Sequence, residues 1–278
     1  MVLENMVSGE EAEANPFHVF TYSLLATTVS LFVSSWIFPS QASITFLFLV
    51  TIAAMPMVYR VLCDDEAEDE CYERIDLGFL SIQKKAFLVY SYIFLGVLVA
   101  STFWYAVLSE SYITSTFSEQ IKTFSRIRGD FLYTGLAVSD SAKFTAILSN
   151  NLSVSFISMV LSFFYGVGAI FILAWNASVI AVFLGKAARL VAAEINHPLA
   201  ALYGFFSSFP TGILSIALHG IPEIAAYFFA GIAGGILSIG LRKDNNRRII
   251  KDSIALFGLS VALLIAAAFL EVWVTPNL

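Results

Sequence analysis

Charge is what this chain of 278 residues has least of: only 13% of it is Asp, Glu, Lys or Arg, about half the share of an ordinary soluble domain. A fold that faces water over its whole surface is thereby excluded. Histidine is scarcer still, at three residues (His18, His197 and His219), and cysteine numbers two, Cys63 and Cys71. There is no HExxH on a helix, no GxSxG and no pair of aspartates inside an apolar run, so nothing supports an intramembrane protease or hydrolase. No base-reading module and no basic stripe is present. The net charge of −6 comes mainly from the amino terminus and one acidic loop, and no nucleic-acid partner is expected. No motif calls for a cofactor or a metal. The opening MVLENMVSGEEAEANP lacks the positive n-region and small-residue cleavage site of a signal peptide, so the apolar run after it is expected to be retained.

What the chain has is hydrocarbon: 58% of it is hydrophobic. A helical span needs about 20 apolar residues. Runs of that length read at Phe17 to Phe38, Ser43 to Leu62, Ala86 to Leu108, Leu152 to Gly185, Ala200 to Leu218, Pro222 to Leu241 and Ser253 to Val274. A membrane barrel would alternate apolar and polar residues, and SIALFGLSVALLIAAAFL does not. The expectation is an all-α polytopic membrane protein with about seven segments, or six plus one re-entrant segment. Residues 1–108 form a three-span region with an acidic loop at 63–85, residues 109–151 a polar connecting region, and residues 152–278 a membrane core.

Lysine and arginine set the orientation. With a cytoplasmic amino terminus, the inside set is Arg60, Arg74, Lys84, Lys85, Lys186, Arg189, Arg242, Lys243, Arg247, Arg248 and Lys251, against Lys122, Arg126, Arg128 and Lys143 outside. Eleven against four puts the amino terminus and the 63–85 loop in the cytoplasm and the carboxyl terminus outside. There Cys63 and Cys71 are reduced thiols. The loop's CDDEAEDEC invites a cation reading, but it lacks the glycine of a calcium loop and its cysteine spacing suits no common zinc module. A solvated acidic loop is the simpler account.

Pro39 to Ala42 read as a tight turn making a hairpin of the first two spans, and Pro56 is expected to kink the second. In the connecting region Ile113, Phe117, Ile121 and Phe124 fall at helical spacing, and Phe144, Ile147 and Leu148 repeat the pattern. Such helices lie on the membrane surface or pack against the protein's own spans. This region is the best docking place for an envelope partner.

Inside the membrane, Asn150 and Asn151 open the fourth span and Asn176 ends its apolar core; each amide there caps a helix end, bonds a neighbouring helix or binds a ligand. Gly166 and Gly168 let another backbone approach. Ala226, Ala230, Gly234 and Ser238 recur every fourth residue, flanked by the GxxxG pair Gly231 and Gly235, a pattern for close helix packing within the chain or between copies.

At the junction of the fifth and sixth runs comes HGIPE, residues 219–223. Gly220 permits a bend and Pro222 suits the first turn of a helix, so the sequence predicts a broken helix here. Glu223 then sits at a helix start with His219 as its partner across the break. Such a pair is either a functional site or a structural clamp for the turn. A zinc site would need His18 or His197 as well; His18 begins the first span and His197, in EINHP, lies on the other side.

The SNN opening, the GVG and Asn176 of the fourth span, Gly185 after it, and LHGIPEIAAYFFAGIAGGILSIG resemble the Stage II sporulation protein M family, over about Phe144 to Gly240. The resemblance implies an integral membrane protein that, in sporulating bacteria, anchors peptidoglycan-remodelling hydrolases during engulfment, with no established catalytic activity of its own. The expected function is a non-enzymatic membrane scaffold, self-associating and contacting lipid and envelope-remodelling proteins. The alternative is a small-solute or ion transporter with its site around His219 and Glu223.

Overall fold

The computed structural model describes residues 16–69, 78–134, 139–165, 168–240 and 246–275. The amino-terminal acidic stretch and the middle of the acidic loop, Cys71 included, lie outside the described residues, as does Gly166. Among the described residues every element is helical: α1 Pro16–Ile37, α2 Ala42–Asp69, α3 Gly78–Val107, α4 Glu110–Thr116, α5 Ser118–Thr134, α6 Asp140–Tyr165, α7 Ala169–Ala193, α8 Ala200–Gly240 and α9 Asn246–Phe269, closed by a π-helical turn Leu270–Val274. Seven of these are long and apolar enough to cross a membrane. In hydrocarbon only a helix satisfies all its backbone groups within one segment, so the composition leaves no other solution.

The expected seven spans are present in number but not in identity. The run Leu152 to Gly185 is two helices, α6 ending at Tyr165 and α7 starting at Ala169, the second folded back along the first. Gly168 makes the reversal, since a Cβ there would run into the Leu161 carbonyl oxygen, and the freed Ala169 N–H donates to Ser162 Oγ at 2.9 Å. Conversely, the predicted break at residues 219–223 does not occur. Residues 200–240 form one helix, α8, of 41 residues with Pro210 and Pro222 inside it. Each proline forgoes one backbone donor, a loss that a membrane helix packed on neighbours tolerates. At about 1.5 Å per residue α8 is roughly 60 Å long against about 30 Å of hydrocarbon, so it tilts and extends past the apolar layer.

Glycines record how the helices run. Gly204 abuts Ala188 and Ala192, Gly212 abuts Leu184, and Gly231 abuts Ala169, so α7 lies antiparallel along α8. Gly234 abuts the Met159 carbonyl and Ser162, and α6 folds back into α7, which is itself antiparallel to α8, so α6 runs parallel to α8. Ser253 Oγ donates to the Ala233 carbonyl (2.8 Å) and Ser155 meets Ser260 (2.7 Å), which sets α9 antiparallel to both. The small-residue face is therefore used inside the chain: Ala226, Ala230, Gly231, Gly234 and Gly235 are buried, and Ser238 is half-buried.

The amino-terminal helices join the same core. Tyr22 donates to the Ala53 carbonyl (2.8 Å), Ser23 to the Ile93 carbonyl (2.9 Å), and Trp104 Nε1 to Thr28 (3.1 Å). One buried cluster runs from Val19 through Tyr90 and Leu173 to Tyr227 and Leu264.

The connecting region packs on the protein's own spans. Ile113 and Phe117 are wholly buried, with the Phe117 ring 5.8 Å from Phe46 and 5.3 Å from Tyr105. Gln120 donates to the Ser43 carbonyl at 3.0 Å, Ser115 to that of Pro39 at 2.8 Å, and Ser35 meets Thr116 at 2.8 Å. Arg189, at the end of α7, donates to the Leu108 carbonyl and to Glu110 Oε2, both at 2.8 Å. Thus α4 and α5 form a platform bolted to one end of the bundle. Arg189 lies at that end, not at the opposite one to which the sequence reading assigned it.

Candidate functional site

Glu223 is the carboxylate that the apolar composition makes conspicuous, and its surroundings come from three helices. Tyr227, one turn further along α8, donates its hydroxyl to Glu223 Oε1 at 2.7 Å. From α6, Asn151 comes beside the same carboxylate. Asn150 Nδ2 in turn donates to Asn151 Oδ1 at 3.1 Å. The third contributor is Glu271 in the π-helical turn, close enough to interact electrostatically with both Glu223 and Tyr227.

The depth of this cluster follows from α6. Asn151 lies 11 residues from its start at Asp140 and 14 from its end at Tyr165, or about 16 Å and 21 Å along the helix at about 1.5 Å per residue. Glu223 is therefore level with the middle of α6, and the hydrogen-bond donor it has there, Tyr227, is a neutral group.

His219 does not pair with Glu223. Its Nδ1 meets Thr275 Oγ1 at 3.3 Å, while Thr275 Oγ1 donates to the Leu270 carbonyl at 3.0 Å. The threonine's one proton being used, Nδ1 of His219 carries the hydrogen and donates. With the helix continuous, Gly220 and Pro222 shape no break; a Cβ on Gly220 would meet nothing nearer than Ile216 Cβ at 4.0 Å.

The asparagines divide. Asn150 and Asn151 are not caps, because α6 begins ten residues earlier at Asp140; Ser139 serves there, accepting from the Ala142 N–H at 3.4 Å. Asn176 stays apart, donating to the Ile172 carbonyl of its own helix at 2.8 Å. Two members of the cluster were not singled out from the sequence. Tyr227 was legible as the residue four positions from Glu223, which shares its face, and Glu271 as a second carboxylate inside an apolar run.

Among the described residues no group of three or more His, Cys, Asp or Glu side chains gathers as a metal site. What the cluster offers is carboxyl, phenol and imidazole groups, which hold and exchange protons. A groove of 430 Å³ lies elsewhere, on the outer face of α6 along Phe144, Leu148, Leu152 and Phe156.

The comparisons extend the resemblance beyond the segments that suggested it. The family described as Stage II sporulation protein M matches residues 44–276, from the third residue of α2 to one residue past the last described one, where the sequence alone pointed to about 144–240. An uncharacterised protein of Methanocaldococcus jannaschii is 28% identical over 143 residues, covering 49% of this chain and 72% of that relative. No solved structure matches. With a match across nearly all of its spanning helices, this chain belongs to the Stage II sporulation protein M family.

Proposed function

We propose that this multi-pass protein is a non-enzymatic membrane scaffold on which envelope-associated proteins dock. The observation that carries this reading is the platform of α4 and α5. Side-chain bonds to α1, α2 and α7 hold it rigidly at one end of the bundle, and it turns Ser111, Thr114, Lys122, Ser125 and Arg126 outward. A rigid polar surface outside the membrane suits protein docking, since little order has to be imposed on binding. Envelope-remodelling proteins are the expected partners, in keeping with what the family resemblance implies. Self-association belongs to the proposal and uses a face other than Ala226–Ser238, which α6 and α7 occupy. Photo-cross-linkers at Thr114 and Ser125 should capture a protein from the native membrane, while one at the lipid-facing Leu214 should not. Absence of any protein adduct at the platform refutes the reading.

The platform is taken to face outward. With Lys186 and Arg189 counted at its end, the division becomes Arg60, Arg74, Lys84, Lys85, Arg242, Lys243, Arg247, Arg248 and Lys251 against Lys122, Arg126, Arg128, Lys143, Lys186 and Arg189. Nine against six still favours a cytoplasmic amino terminus and 63–85 loop, by a smaller margin.

A second reading, transport of a small solute or ion, draws support from Glu223 and Glu271, two carboxylates within the spanning layer. Flux into reconstituted vesicles that Glu223→Gln abolishes without unfolding the protein would establish it.

A further inference from the structure

We propose that Glu223 is a proton-exchange site, reached from the end of the bundle where α9 closes, through Glu271 and the His219–Thr275 pair. This holds whether or not the protein moves a solute, and it is independent of the scaffold reading.

The inference starts from register. His219, Glu223 and Tyr227 stand four residues apart on α8 and share one face. Glu271 and Thr275 stand four residues apart in and just after the π-helical turn that closes the antiparallel α9. Because His219 meets Thr275 at 3.3 Å, one turn deeper on both elements sets Glu223 opposite Glu271, which agrees with the electrostatic interaction of those two carboxyls. One turn deeper again, Tyr227 faces the position of Ala267, a buried residue with no polar group. The polar rungs thus begin at the end of the chain's last helix and stop at Tyr227 and Asn151. A path that enters from one end of the bundle and stops inside it serves exchange with that end alone.

A proton suits these groups better than a metal ion. Two carboxyls facing one another in a layer of low dielectric repel when both are ionised, and one shared proton removes that repulsion. A metal ion wants several charged or imidazole ligands, and the described residues do not gather three. The titratable groups facing Glu223 are Tyr227 and His219 on α8 and Glu271 on the terminal turn; α6 contributes the amides of Asn150 and Asn151. His219 has Nδ1 engaged with Thr275, leaving Nε2 to take up a proton at the bundle end. In the transfer, the O–H bond of Glu271 breaks as that of Glu223 forms. Glu271, left as carboxylate, is reprotonated from the His219 imidazolium, which returns to the neutral ring. One proton has then moved inward, with no other bond changed.

The test uses the full chain in lipid nanodiscs and reads the carbonyl stretch of protonated carboxyl groups by infrared difference spectroscopy after pH steps and transfer to D₂O. In the unaltered protein a carboxyl band should exchange reversibly, and Glu223→Gln should remove it. Glu271→Gln and His219→Ala should leave the Glu223 band in place but slow its exchange by about tenfold or more, as loss of a positioned proton donor does. A band that survives Glu223→Gln overturns the site. Unchanged exchange in both Glu271→Gln and His219→Ala overturns the path. Displacement of the band by sodium at constant pH overturns the proton as ligand. If Glu223→Gln does not fold, the unaltered protein treated with a hydrophobic carbodiimide decides: adducts should map to Glu223 and form more slowly in Glu271→Gln, and their absence refutes the proposal.

Discussion

Replacing Gly234 by alanine adds one methyl group at the tightest crossing in the bundle. The new Cβ would overlap the Met159 carbonyl oxygen, and it would lie 2.9 Å from that carbonyl carbon and 3.0 Å from Ser162 Cβ. The oxygen belongs to the hydrogen-bonded backbone of α6 and cannot rotate aside as a flexible side chain would. If separation alone relieved the overlap, the helices would have to part by about 1.2–1.5 Å to reach the roughly 3.3–3.6 Å of a close carbon–oxygen contact. A gap of that size forfeits about half or more of each dispersion contact along the crossing. Overpacking of this kind costs about 1–3 kcal/mol. Gly258 supplies the control, with nothing within 4 Å of its added Cβ; there alanine should stabilise the helix by up to about 1 kcal/mol. Gly220→Ala should behave like Gly258→Ala, because α8 runs straight through residue 220. Thermal unfolding of the three purified variants, at about 2–4 °C per kcal/mol for a chain of this size, separates them. Equal stabilities for Gly234→Ala and Gly258→Ala would refute the close approach of α6 and α8.

Gly231→Leu should be more disruptive than Gly234→Ala, since its Cβ already falls 2.6 Å from Ala169 Cβ and three further carbons follow; yield and elution profile of the purified variant check this. Tyr227→Phe and Asn151→Leu each remove a polar group beside Glu223 and should each cost about 1–3 kcal/mol, the range for leaving a buried polar group without its partner. Their double variant should be non-additive in a thermal double-mutant cycle, whereas His219→Ala should couple more strongly to Thr275→Val than to Glu223→Gln. Arg189→Ala should destabilise more than Glu110→Ala: the arginine also holds the Leu108 carbonyl, while the ion pair itself, with Glu110 72% exposed, contributes at most about 1 kcal/mol. Measuring both variants at low and high salt isolates the ionic part. In intact cells an impermeant thiol reagent should label a Ser111→Cys variant and leave Cys63 unlabelled; the reverse pattern would invert the proposed orientation.

Several features were legible in the chain before it folded. The turn at Pro39 to Ala42, the position of Pro56 inside a helix, the helical spacing of Ile113 and Phe117, and the small-residue face of Ala226 to Ser238 all follow from local periodicity and from the short reach of a turn. Glu223 and Asn151 stood out because a polar group in an apolar run needs a partner. What each would partner was not legible. His219 looked right for Glu223 because it is four residues away, yet Thr275, remote in sequence, accepts its hydrogen. Asn151 looked like a cap because the apolar run starts beside it, but α6 begins at Asp140, where Ser139 and the polar residues that follow supply a conventional start.

Composition alone determined that this protein is α-helical and membrane-spanning, because hydrocarbon leaves an unbonded peptide group no partner but its own helix. It also determined roughly how many spans there are, since the count depends only on the total apolar length. Where the helices turn was decided by tertiary packing. Proline and glycine permit both a break and continuity, and the balance rests on neighbours: α6 and α7 fold back at Gly168, where the backbone of Leu161 lies against the glycine, while α8 continues through Pro222 against α6 and α7. The same holds for the polar cluster. Asn151 is 72 positions before Glu223 and Glu271 is 48 after it, and only the parallel course of α6 and the antiparallel course of α9 bring the three to one depth.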